Sequence, residues 1–203
     1  MPVLDIQGVY KRFRRLDVLT GTSLNVEQGE IVGVTGENGA GKTTLLRIIV
    51  GLLGADSGHI AIDGSQGYCP QDPILFDALT MEENLAYFAA GYGLSPSERR
   101  SRTESLIERL HCQEHASKTV ATLSAGTKQK LNLIVALLHD PTLLILDEPY
   151  QGFDYESYLT FWELAEELKN QGKSLLVVSH LILDRDRLDR IYTLREGRAH
   201  LED

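Results

Sequence analysis

The sequence predicts an α/β fold with a mixed or parallel central sheet, an N-terminal antiparallel β subdomain and an inserted α-helical subdomain. Three observations carry this. The short apolar runs Ile31-Val32-Gly33-Val34, Leu143-Leu144-Ile145-Leu146 and Leu175 to Val178 have the length and composition of buried strands. A helical stretch separates the last two, and buried strands in strand–helix–strand order imply a parallel sheet covered on both faces. Between the first run and the second, residues 73–140 carry helix caps in place of strand alternation.

Taken in order, Val18 to Val26 alternates roughly and ends at a Gln28-Gly29 turn. Ile31 to Val34 follows as a strand. From Lys42 to Leu53 the residues Leu45, Leu46, Ile48, Ile49, Leu52 and Leu53 fall at helical spacing, which predicts a helix over that span. Ile60-Ala61-Ile62 reads as a strand running into an Asp63-Gly64 turn. Thr80-Met81-Glu82-Glu83 and Ser95-Pro96-Ser97-Glu98 both fit the capping box, the second with proline at the first helical position, so helices are predicted near 81–91 and 96–111. A further helix is predicted over 155–169. The expected organisation is one domain over 1–203, with about 1–72 and 142–203 as the core and about 73–141 as the helical insert.

The net charge of −9 argues against nucleic acid as a partner. The two cysteines, Cys69 and Cys112, have no zinc-ligand or disulfide spacing and read as small core residues. MPVLDIQGVYKRF has no apolar core of a signal peptide, and no run of eighteen apolar residues occurs, so a membrane process would need another chain to supply the membrane.

The strand at Ile31 runs into Gly36-Glu37-Asn38-Gly39-Ala40-Gly41-Lys42-Thr43-Thr44, which matches G-x-x-x-x-G-K-[ST] at every required position. Glycines let the backbone curl so that successive N–H groups point at phosphate oxygens. The helix opening at Lys42 aims its positive end at the same anion. In this chemistry the lysine reaches the β and γ phosphates and the Thr43 hydroxyl ligates Mg²⁺, with Thr44 a further hydroxyl contact. These residues predict a P-loop NTPase fold that binds a nucleotide with Mg²⁺; the resemblance described next implies that the nucleotide is ATP. The apolar strand at Leu143 ends in Asp147-Glu148. An aspartate there helps hold Mg²⁺, and Glu148 is placed to polarise an attacking water as general base.

From here the chain resembles the ATP-binding subunits of ABC transporters, of the export-type, ABC-2-like multidrug group. Tyr68-Cys69-Pro70-Gln71 resembles the family's Q-loop, which implies that Gln71 contacts Mg²⁺ or water. Leu123-Ser124-Ala125-Gly126-Thr127 resembles the signature LSGGQ, which implies that Ser124 and Gly126 touch the γ-phosphate of a nucleotide held by an opposite subunit. Gly152-Phe153-Asp154 resembles the D-loop, with Asp154 at the family's aspartate. Ser179-His180 resembles the switch histidine. Phe13 sits where the family places a ring on adenine, with Tyr10 as the alternative ring.

The resemblance implies a cytoplasmic protein at the inner face of the cell membrane. Its implied partners are an integral membrane permease on a separate chain and a second cassette, identical or related, in an ATP sandwich. Leu79 to Leu85 would dock a coupling helix of the permease. Three departures stand out. Ala125 and Thr127 replace a glycine and the glutamine of the signature, and the methyl at 125 is expected to cost backbone freedom and slow the site. The stretch from Asp63 to Gly67 is short. Tyr150 and Gln151 stand where small residues are common. Two other function classes compete: a soluble assembly ATPase of the metal-cluster type, and a nucleotide-binding regulatory module with little turnover.

Overall fold

A computed structural model describes residues 2–180 and 184–202. Met1 and Asp203, the ends of the expected single domain, lie outside the described residues. The first sheet is antiparallel, in the order β2-β1-β4, from β1 (Pro2–Phe13), β2 (Leu16–Glu27) and β4 (Ser57–Ile62). The second has six strands in the order β5-β6-β7-β3-β8-β9. They are β3 (Ile31–Thr35), β5 (Gln66–Cys69), β6 (Leu143–Asp147), β7 (Ser174–Val178), β8 (Arg190–Arg195) and β9 (Arg198–Leu201). All neighbours in it pair in parallel except β8 with β9, so the sheet is mixed at one edge.

Alternation within the buried strands divides the interior in two. Leu143 and Ile145 of β6 and Leu176 and Val178 of β7 face α1 (Lys42–Ile49) and the antiparallel sheet. Leu144 and Leu146, with Leu175 and Val177, face the opposite layer, where α4 (Ala125–Leu137) and α5 (Tyr155–Asn170) pack with Leu131, Ile134 and Trp162. Successive side chains on a strand point to opposite faces, so a strand apolar throughout must be covered twice. The helices α2 (Met81–Gly91) and α3 (Pro96–Arg109) extend this second layer away from the sheet, each opened by a complete capping box.

Two helix ends differ from expectation. The first helix stops at Ile49, because Gly51 turns with φ +77° and leaves Leu52 on the surface, 67% exposed. Periodicity ran on into a turn whose apolar residues face outward. The helix expected to reach 111 ends at Arg109, where His111 adopts φ +54° and closes it.

Candidate functional site

β3 is buried through Val34 and delivers the chain into a loop of three left-handed glycines, with φ +151° at Gly36, +85° at Gly39 and +104° at Gly41. A side chain at Gly41 would meet Val18 and Leu19 at 3.1 Å and would suffer strain at that φ as well. Gly41 is also the N-cap of α1 and supplies no side-chain cap, so the first amides of the helix are left for an external acceptor. Lys42 Nζ donates to the carbonyl oxygens of Gly36 at 2.6 Å and Glu37 at 3.1 Å, folded back over its own loop.

A cleft of about 460 Å³ lies above this loop. Asn38, Gly39, Gly41, Lys42, Thr43 and Thr44 form its floor, Phe13 one wall, and Gln71, Asp147, Glu148 and His180 the other. Gly36, Glu37 and Ala40 line a wider, more open cleft of about 1300 Å³ on the loop's other side, which shares Asn38, Gly39 and His180 with the first. Phe13 is half-exposed at the cleft with Lys11 Nζ 5.6 Å from its ring centre. Tyr10, the alternative ring, instead lays its hydroxyl over Gly21, where it would contact an added Cβ at 2.9 Å.

The carboxylates stand apart in environment. Asp147 closes β6 and is almost fully buried; burial first, then the neighbouring Glu148 charge, push it up to about 6. Asp147 and Thr43 line the same cleft, and a carboxylate and a hydroxyl are oxygen donors of the kind that suit Mg²⁺. Glu148 adopts φ +48° and accepts from Ser179 Oγ at 2.7 Å and from the His180 N–H at 2.7 Å. His180 Nδ1 lies 3.0 Å from the same carboxylate. Gln71 Nε2 donates to Gln151 Oε1 at 3.4 Å, so one of the unexplained residues after the Glu-Pro pair holds the Q-loop side chain.

Ser124, Gly126 and Asp154 are not brought to the cleft. Ser124 caps α4, accepting from the Thr127 N–H at 3.1 Å, and Asp154 caps α5, accepting from the Ser157 N–H at 2.8 Å. Gly126 presses on the D-loop turn, where a Cβ would lie 2.6 Å from the Gly152 carbonyl oxygen. Ala125 is the first residue of α4 and is not among the residues of positive φ, so alanine is at home there. The expected loss of backbone freedom is therefore corrected: the methyl faces the Gly152 turn instead.

Four residues at or behind the site were given no role from the sequence. Gln129 and Asn132 are buried polar residues on α4; Asn132 Nδ2 donates to the Pro70 carbonyl oxygen at 2.7 Å and Gln129 Nε2 to that of Glu148 at 3.5 Å. Their signal was available as polar interruptions, three residues apart, ahead of the apolar run Leu133 to Leu138. Ser179 and Tyr150 are the other two. No helix among the described residues is long and apolar enough to cross a membrane, and no cluster of His, Cys, Asp and Glu among them makes a metal site alone.

Known proteins were compared with this geometry. The family model for ABC transporters matches residues 19–151. The Nod factor export ATP-binding protein I of Burkholderia lata is 36% identical over all of this chain and 71% of its own length. The ABC transporter ATP-binding protein NatA of Bacillus subtilis is 36% identical over 86% of this chain and 77% of its own. Among solved structures, an ATP binding subunit of an ABC transporter superposes with a TM-score of 0.91 at 31% identity, over 97% of this chain and 88% of that one. A bacterial ABC transporter cassette solved as a dimer gives 0.91 at 25% identity, over 98% of both chains.

Proposed function

This chain belongs to the ABC transporter family, and on that premise we propose that it binds ATP with Mg²⁺ in the cleft above Lys42 and hydrolyses it to drive export through a separate membrane permease. One observation carries the reading: Asn38, Gly39 and Gly41 to Thr44 of the phosphate loop, with Asp147, Glu148, Gln71, His180 and Phe13, scattered from residue 13 to residue 180, line a single cleft. The free N-terminus of α1 and the positive φ glycines suit a polyphosphate, and Phe13 offers its face to a base.

The reaction is in-line attack of water on the γ-phosphate, giving ADP and phosphate. Glu148 accepts a proton from that water and orients it. Lys42 swings from the Gly36 and Glu37 carbonyls to the phosphate oxygens, exchanging two neutral acceptors for a charged one. His180 braces the γ-phosphate from beside Glu148, and Gln71, on the same cleft, would help hold the metal. Thr43 and Asp147 would hold Mg²⁺, which supplies positive charge against the developing charge on the phosphoryl oxygens.

The helical insert over about 73–141 carries the other half of the chemistry. Ser124, Gly126 and the neighbouring Asp154 do not line the cleft of their own chain, which supports completion by a second cassette. The Nod factor export name of one relative supports export; on the same reading the chain attaches at the cytoplasmic face of a membrane, with Leu79 to Leu85 near the permease. Purified protein should hydrolyse ATP only with Mg²⁺, and Glu148→Gln should lower the rate about a hundred-fold or more, the scale of a lost general base, with ATP binding kept. Turnover unchanged by that substitution would remove Glu148 from its role.

A further inference from the structure

Strand β5 leaves the sheet at a residue that cannot continue it. It pairs in parallel with β6 as far as Cys69 beside Leu146, and Pro70 follows, with no N–H to carry the ladder on. The Pro70 carbonyl oxygen therefore needs a partner off the sheet. Asn132 of α4 supplies it: its Nδ2 donates to that oxygen at 2.7 Å. A carbonyl oxygen only accepts, so the amide nitrogen has to face it. The second amide proton has Cys69 Sγ at 3.2 Å and Gln129 Oε1 at 3.4 Å within reach. Asn132 is only 3% exposed, and a polar group buried that deeply is kept with its partners.

Gln71 is the next residue along the chain, directly after this anchor, and it lines the cleft. The loop is anchored again at Phe76, whose N–H donates to Asn84 Oδ1 at 2.9 Å and whose carbonyl oxygen accepts from Asn84 Nδ2 at 3.1 Å. Asn84 is fully buried and belongs to α2, so the far end of the loop is held independently of Asn132. The near end, which carries Gln71, is tied to α4. The same helix reaches the exit of the neighbouring strand: Gln129, one turn before Asn132, directs Nε2 at the Glu148 carbonyl oxygen 3.5 Å away.

We propose that Asn132 is a positioning residue for hydrolysis: its amide holds the Pro70 carbonyl oxygen and so fixes where Gln71 enters the cleft. The inference rests on Gln71 serving the metal and the reaction. It gives a task to a polar side chain inside an apolar helix, and it ties Gln71 to the helix whose N-cap is Ser124. Loss of the amide leaves the Pro70 carbonyl oxygen without this donor and frees the end of β5, while Asn84 still holds Phe76.

The test compares the full chain with Asn132→Leu, Gln71→Ala and the double variant, measuring kcat, KM and the Kd for ATP of each. Asn132→Leu keeps the bulk and the helix and removes the donor. It should lower kcat about ten-fold, the scale on which residues that support a metal ligand act, and leave KM and Kd within about two-fold, since the phosphate loop is untouched. The double variant should match Gln71→Ala alone, because both changes act through one side chain. A second readout needs neither nucleotide nor metal. Cys69 and Cys112 are both fully buried, so alkylation by iodoacetamide reports local opening at each. In Asn132→Leu, Cys69 should react about ten-fold faster, the factor that one hydrogen bond is worth, while Cys112 keeps its rate. Wild-type kcat, losses that multiply in the double variant, an unchanged Cys69 rate or an equal rise at Cys112 would each overturn the proposal. Should Asn132→Leu fail to fold, Asn132→Ser, whose shorter side chain withdraws the donor, is read by the same outcomes. Full turnover in Gln71→Ala would instead sink the reading of Gln71 on which the proposal rests, whatever Cys69 does.

Discussion

The loop at Lys42 and the turn at Ser124 both open a helix, and both present helix N-terminal amides to which an anion could bind, yet they treat those amides in opposite ways. At α1 the N-cap is Gly41, which has no side chain to turn back, and the amides face a cleft with a lysine, two acids and a histidine. At α4 the N-cap is Ser124, whose oxygen accepts the Thr127 N–H, and Ser124 does not line the cleft. One terminus is built to take its anion from solution. The other satisfies itself within the chain and lacks the machinery to act on an anion. The contrast fits the proposed reading, in which one half of the site is self-contained and the other half serves a second cassette.

The largest effect that sharpens this contrast is Lys42→Ala. It should reduce both ATP binding and turnover, the latter by about a hundred-fold or more as expected for loss of a phosphate-directed cation, read by ligand titration and phosphate release. Ser124→Ala, by contrast, should reduce turnover while leaving the Kd for ATP of the isolated chain unchanged. Equal losses of affinity in both variants would break the distinction. Next comes Gly126→Ala, which puts a methyl where only 2.6 Å separates it from the Gly152 carbonyl oxygen. A forced shift in a packed contact costs about 1–3 kcal/mol, so its melting temperature should fall while ATP affinity holds. An unshifted melting curve would mean that the two turns separate freely.

A third prediction concerns the buried acid on the self-contained side. Asp147 is raised in the fold, so the folded chain holds a proton more tightly than the unfolded chain does between pH 4 and about 6. Stability without metal is therefore present below that window and lost as pH rises through it. Asp147→Asn should melt higher than the parent at pH 7.5 when metal and nucleotide are absent, and Mg-ATP should rescue only the parent. A variant melting no higher would show that Asp147 already has a counter-charge. The smallest effect is Ala125→Gly. Alanine suits the first turn of α4, so the change should move turnover by less than about two-fold, and a larger gain would mean that the methyl obstructs a facing phosphate.

Much of this was legible because the chemistry is local. The phosphate loop is contiguous, and its glycines sit where the backbone requires positive φ. The capping boxes at Thr80 and Ser95 mark their helices within the sequence. What escaped reading was decided by long-range packing. Periodicity carried the first helix on to Leu53, although Gly51 ends it and Leu52 points to solvent. The bulk of Tyr150 has no meaning until α5 brings three rings around it. Gln129 and Asn132 look like interruptions of an apolar helix until β5 and β6 end against them. Gly126 read as a phosphate contact, whereas within this chain its smallness serves the approach of the Gly152 turn.

The central claim is that a second cassette finishes the site, and association tests it directly. Glu148→Gln, with Mg-ATP bound and unhydrolysed, should elute as a dimer by light scattering, roughly doubling the 22.6 kDa mass of the chain, and return to monomer when ATP is removed or when Ser124→Ala is added. A particle that remains monomeric at every ATP concentration would contradict a dimer built from two copies of this chain.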